Sequence, residues 1–132
     1  MKKIMIDTNI FDKLIQDSFF PDIWQSLEAR LLCFVTTEIQ EEEINNISDS
    51  RRKKLLQSIP RQVIPLAINN IDEVEKHLND RLIAETAVQH CDLFVTEDRQ
   101  LQEWYQAHFP NHQSWNYQEF IVWFLNEVYP LI

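Results

Sequence analysis

The chain contains no glycine in 132 residues. Loops that wrap a phosphate with bare backbone need glycine, because a side chain at those positions would collide with the ligand. A P-loop and a dinucleotide-binding fingerprint are excluded on this ground, and with them most nucleotide-triphosphatase and nicotinamide chemistry. Turns must be made by Asn, Asp, Ser and Pro. Such a chain is confined to regular elements joined by polar corners.

Those elements are legible. The runs 2–6 (KKIMI), 31–35 (LLCFV), 62–66 (QVIPL) and 93–96 (LFVT) have strand length and strong apolar character, with Pro65 restricting the third to a sheet edge or placing the proline at the strand's end. Between them lie segments of helical spacing: one capped by Asp7-Thr8-Asn9, one opened by Pro21, one over 37–47, a basic one over 51–58 capped by Ser48 or Asp49, one around 71–78 after Asn69 or Asn70, and one over 80–90. A helix from about Asp98 to Ala107, a weak strand near 114–116 and an apolar helix over about 118–129 complete the chain. Continuously apolar strands alternating with helices predict parallel βαβ units. The expected architecture is a single domain, 1–132, with three α/β/α layers around a four- to five-stranded parallel sheet.

With 45% hydrophobic and 25% charged residues, the composition is that of an ordinary globular protein. No run approaches the roughly 18–20 apolar residues of a membrane span. Asp7 interrupts the N-terminus before a signal-peptide core can form, so a cytoplasmic location is expected. Cys33 and Cys91 stand in no metal-ligand spacing and read as buried free thiols. The net charge of −9 opposes nucleic acid, but its distribution is uneven: five of the twelve cations are Arg51, Arg52, Lys53, Lys54 and Arg61, and none follows Arg99. A basic patch beside an acidic pocket is expected.

In parallel sheets the ligand crevice opens beyond the carboxyl ends of the strands. Asp7 and Asp98 both follow strands directly, which makes them candidate site residues. Hard divalent cations require several carboxylates converging from separate elements, and the cation offsets their mutual repulsion. Such a site polarises a phosphodiester and generates hydroxide near neutral pH.

Three motifs carry a resemblance. Ile6-Asp7-Thr8-Asn9 resembles the opening of PIN domains, Asp80-Arg81-Leu82-Ile83-Ala84-Glu85-Thr86-Ala87 is similar to their Asp-x-x-Ile-Ala-x-x-Ala helix, and Val95-Thr96-Glu97-Asp98 resembles their turn after the fourth strand. The likeness spans nearly the whole chain, whose size resembles that of ribonucleases of the VapC-like toxin type. It implies that Asp7, Asp80 and Asp98 are metal-site carboxylates. It places the remaining acid on the helix after the second strand, about two turns in and before an aliphatic residue. Glu43, before Ile44, meets that description, with Glu42 in reserve. Asp7, Glu43 and Asp98 would hold Mg²⁺ or Mn²⁺, Asp80 would complete the cluster or serve a second ion, and Thr8, Asn9 and Thr96 would orient the carboxylates. The implied reaction is metal-dependent endoribonucleolytic hydrolysis of RNA to a 5′-phosphate and a 3′-hydroxyl. The implied partners are the RNA substrate, an antitoxin protein and a second copy of the chain.

Plainer readings stand beside these. Asp7 and Asp80 can each be a helix cap. Glu41-Glu42-Glu43 and Arg51–Lys54 can be solvated helix faces. His108 and His112, with Pro110 between them, read as a turn and not a zinc site. The aromatics from Trp115 to Tyr129 lack a neighbouring cation in sequence and read as a packed helix that a homodimer partner covers in part. A catalytically silent PIN-like scaffold that binds RNA or protein is the competing function. Phosphotransfer on an aspartate fits poorly, since the last lysine, Lys76, precedes the fourth strand.

Overall fold

The computed structural model describes residues 1–66 and 76–132. Five strands, β1 (Lys2–Ile6), β2 (Leu32–Thr37), β3 (Gln62–Ile64), β4 (Leu93–Val95) and β5 (Gln113–Trp115), form one sheet in the order β3-β2-β1-β4-β5. Every pairing is parallel. Among the described residues, seven helices flank it: α1 (Thr8–Gln16), α2 (Phe20–Glu28), α3 (Glu38–Asn45), α4 (Ser50–Ser58), α5 (Lys76–His90), α6 (Arg99–His108) and α7 (Tyr117–Trp123).

The apolar strands serve two cores at once. Ile4, Ile6, Leu32, Phe34, Leu93 and Val95 face one cluster with Phe11, Ile44, Leu56 and Phe120 from the helices. Met5, Val35 and Phe94, the intervening positions, face a second cluster with Ile83, Ala84 and Ala87 of α5 and Leu101 and Tyr105 of α6. Successive side chains of a strand point to opposite faces, so a central strand covered on both must be apolar throughout. Each fully buried Phe or Ile contributes about 1.5–3 kcal/mol.

The sheet order explains which helices lie where. The chain moves outward from β1 to β2 and β3 with α1 to α4 on one face, then crosses to β4 and β5 with α5 and α6 on the other. Right-handed crossovers require this change of face when the direction across the sheet reverses. The reversal leaves a crevice between the carboxyl ends of β1 and β4, the switch point where ligands bind in such sheets.

Without glycine, one helix end adopts an unusual solution. Arg30 follows α2 with φ 59°. Its N–H donates to Leu27 O at 3.2 Å and the Leu31 N–H to Ser26 O at 3.0 Å, the Schellman pattern in which glycine ordinarily takes the left-handed position.

Several expectations are corrected. The segment 80–90 is part of a helix that already includes Lys76, so Asp80 lies inside α5 and is not its cap. The expected start of a helix at 71, with its cap at Asn69 or Asn70, falls outside the described residues. The last helix is regular only to Trp123; it continues as a π turn over Phe124–Val128 and a 3₁₀ turn over Tyr129–Leu131, where Pro130 lacks the N–H that a further α turn needs. Cys33 is only partly buried, while Cys91 is buried and burial pushes its thiol up to about 12. Lys2 lies 5.8 and 5.3 Å from the ring centres of Trp115 and Trp123, so the C-terminal aromatics do have a cation, supplied by the first strand. Among the described residues, no helix is long and apolar enough to cross a membrane.

Candidate metal centre

Asp7 follows the last residue of β1, and its N–H donates to Val95 O of β4 at 3.0 Å. It caps α1, with Oδ1 accepting from the Thr8 N–H at 2.8 Å. Oδ2 accepts from the Thr96 hydroxyl at 2.8 Å, and that hydroxyl in turn accepts from the Asp98 N–H at 3.1 Å. Asp98 caps α6, accepting from the Leu101 N–H at 3.1 Å. Both aspartates therefore are caps, and both caps face the switch point. Burial pushes the Asp7 carboxyl above its ordinary range; the hydrogen bonds from Thr96 and Thr8 oppose that shift, and the Asp98 charge adds to it.

The position of α3 follows from Thr37 and Gln40. The Thr37 N–H donates to Gln40 Oε1 at 2.8 Å while the Gln40 N–H donates to Thr37 Oγ1 at 3.5 Å, a reciprocal cap. The fully buried Gln40 side chain also donates through Nε2 to the Ile6 carbonyl, which ties the helix to the end of β1. Glu43, one turn beyond Gln40, lies on the same side of the helix and lines the crevice. Glu41 turns away: its carboxylate accepts from Arg61 Nη2 at 2.7 Å, Arg61 Nε at 2.9 Å and the Thr36 hydroxyl at 2.7 Å. Glu42 and Glu43 are both exposed, but Glu43 lines the cleft and Glu42 does not; Glu38 opens the helix.

Asp80 comes from the other face of the sheet. Ala84 and Ala87 of α5 are fully buried against it, and such small side chains allow the helix backbone to approach closely. The result is one open cleft of about 340 Å³, lined by Asp7, Glu43, Asp80 and Asp98 together with Thr8, Asn9, Asp12 and Arg52. Among the described residues, the buried Thr8 hydroxyl oxygen has no hydrogen-bond partner. Among the same residues, no three His, Cys, Asp or Glu side chains already stand at the spacing of a ligand set. The cleft offers hard oxygen donors and an unpartnered hydroxyl, a chemistry that fits Mg²⁺ or Mn²⁺ and neither zinc nor copper.

Neither a family model nor a curated protein matches the sequence. The fold does have counterparts. It superposes on the PIN domain endonuclease Utp24 with a TM-score of 0.50 at 19% identity, over 76% of this chain and 74% of that one. It also superposes on a chain of VapBC2 from Rickettsia felis, solved bound to a DNA fragment from their promoter, with a TM-score of 0.53 at 17% identity, over 86% of this chain and 98% of that one. This is a PIN-domain fold.

Within the PIN-domain fold the cleft has one residue that sequence reasoning missed, Asp12, and one, Arg52, that it named only as a member of the basic cluster. Asp12 lies one helical turn beyond Asn9, and Arg52 reaches it from α4 with bonds of 2.8 and 2.7 Å. Their i, i+3 spacing along α1 placed Asn9 and Asp12 on one face, a signal that could have been read. Nothing local marked Arg52 off from Arg51, Lys53 and Lys54, which do not line the cleft. Arg61 does not join a basic patch: its side chain is 7% exposed, paired with Glu41 and set over the Phe11 ring at 5.2 Å. His108 ends α6, stacked on Trp104 at 4.6 Å, while His112 lies in the following turn.

Proposed function

We propose that this chain is a divalent-metal-dependent endoribonuclease. The observation that carries the reading is the common cleft of Asp7, Glu43, Asp80 and Asp98, four acids from four different parts of the fold at the switch point of the sheet. Asp7, Glu43 and Asp98 would hold Mg²⁺ or Mn²⁺, with Asp80 completing the set or serving a second ion. When bound, the cation supplies Lewis acidity toward a phosphodiester and lowers the pKa of attacking water. The chain's own groups prepare the site. Thr96 and the Thr8 N–H fix both oxygens of Asp7, and the buried Thr8 hydroxyl is free to accept or donate. Arg52, held by Asp12 at the rim, can exchange that carboxylate for a substrate phosphate. Because the net charge is −9, RNA must approach through such local contacts.

The test is hydrolysis of end-labelled RNA by the purified chain. Cleavage that requires Mg²⁺ or Mn²⁺, stops with EDTA and leaves 5′-phosphate ends supports the reading. No cleavage of any RNA with either metal would sink it and leave the catalytically silent scaffold as the alternative.

The likeness to a chain of VapBC2 supports a biological setting in which a protein antitoxin restrains the nuclease. A homodimer is part of the proposal, with the exposed Val122, Tyr129 and Leu131 as the surface a second copy would cover. Solution mass measurement tests the dimer.

A further inference from the structure

Beside the acidic cleft lies a second, smaller pocket of about 210 Å³ that shares Asp80 and Asp98 with it. Its other walls are Arg81, Gln100, Leu101 and Trp104. The Arg81 guanidinium carbon stands 5.3 Å from the centre of the Trp104 ring, a cation–π arrangement. Trp104 is itself held from below: it stacks on His108 at 4.6 Å and 29°, and Phe109 meets it edge-on at 5.9 Å. The ring is therefore fixed and only partly buried.

We infer that this pocket is a nucleobase subsite, in which one base of a single-stranded RNA stacks on the Arg81–Trp104 platform beside the proposed site of hydrolysis. The inference rests on the ribonuclease reading for its substrate class. Three features select a base over other ligands. The volume is below the roughly 300–1,000 Å³ of pockets for drug-sized molecules, which suits one ring system. The phosphate belongs in the neighbouring cleft, where the proposed cation would offset the acids, which leaves the neutral ring for this pocket. Leu101 offers an apolar floor while the Gln100 amide can both donate to and accept from a base edge. Stacking on an aromatic ring and a guanidinium is sequence-tolerant, since every base has a π face. A base seated here would fix the register of the strand, so that an adjacent phosphate meets the four acids.

The experiment measures binding, not turnover. Fluorescein-labelled hexaribonucleotides with a non-hydrolysable central linkage are titrated with the full chain in Mg²⁺, each base being replaced in turn by an abasic unit. In the wild type one abasic position should weaken binding roughly ten- to hundredfold, the effect of losing a single base–aromatic stack. Trp104→Ala should weaken binding of the intact strand by a similar factor and become indifferent to that position. Trp104→Phe should retain most of the affinity. Arg81→Met, at an exposed position outside the core, should lose part of it and flatten the salt dependence. An equal effect at every position would overturn the proposal, as would a position effect that survives Trp104→Ala, or absence of oligonucleotide binding by the wild type. Failure of the ribonuclease reading registers separately, as intact unmodified RNA despite a normal abasic effect.

Discussion

The Thr96 hydroxyl donates to Asp7 Oδ2 at 2.8 Å although 89 positions separate the two residues. Thr96 also accepts from the Asp98 N–H, so one buried hydroxyl holds the Asp7 carboxylate and the Asp98 backbone together. Thr96→Val keeps the shape and removes the bond. We expect half-maximal hydrolysis to need about 10- to 100-fold more Mg²⁺, the usual cost of losing a group that orients a ligand. An unchanged Mg²⁺ titration would mean that Asp7 needs no such support.

Asp98→Asn keeps size and much of the hydrogen bonding but removes one negative charge from the proposed metal site. Turnover should fall by about a hundredfold or more. The melting temperature of the metal-free protein should not fall, because the Asp98 charge works against ionisation of Asp7. Full activity in the folded variant would move the chemistry elsewhere.

Arg52 and its three basic neighbours should separate in kinetics. Replacing Arg51, Lys53 and Lys54 with Gln should weaken RNA binding and reduce the log–log salt slope by about 0.7 for each phosphate no longer neutralised, with the rate at saturating RNA unchanged. Arg52→Gln should also lower that saturating rate, because Arg52 alone of the four lines the acidic cleft. Unchanged affinity and salt slope in the triple variant would reduce Arg51, Lys53 and Lys54 to a solvated face, and an unchanged saturating rate in Arg52→Gln would leave Arg52 with no separate role.

Glu41 supports the fold and provides a pH signature. Burial alone would push its carboxyl up, but hydrogen bonds from Arg61 and Thr36 and the Arg61 charge hold it below the ordinary range. A depressed folded-state pKa contributes stability that is present above the unfolded value, about 4.3, and is lost as pH falls through the folded one. Glu41→Gln should therefore cost about 1–2 kcal/mol in urea unfolding at neutral pH. The gap between wild type and variant should narrow as pH falls below the unfolded value, as Glu41 takes up its proton. A gap independent of pH would assign the effect to packing.

Arg30 tests the consequence of a glycine-free sequence. A non-glycine residue in the left-handed region costs about 1–2 kcal/mol, while glycine adds about 0.4–1 kcal/mol of unfolded-state freedom. Arg30→Gly should thus gain on the order of 0.5–1 kcal/mol in thermal or urea unfolding. A loss would show that the arginine side chain contributes more than its backbone strain removes.

By itself the sequence determined most of the elements and marked two residues that line the candidate cleft. Strand-length apolar runs alternate with amphipathic segments because a two-sided parallel sheet demands it, and Asp7 and Asp98 were legible because each lies between a strand and the helix it caps. Pro65 likewise announced an edge or a strand end, and β3 is an edge strand that stops at Ile64. What is set by partners far apart in sequence was not legible. The order β3-β2-β1-β4-β5 brings Asp7 beside Thr96, and only that adjacency makes a crevice of two caps. The direction of each glutamate of α3 depends on Gln40 bonding the Ile6 carbonyl and on Arg61 claiming Glu41, partners 34 and 20 residues away. Arg52 became part of the cleft because α4 packs against α1 and puts it within reach of Asp12. Local spacing records which face of a helix is apolar; which polar side chain finds which partner is decided by tertiary packing.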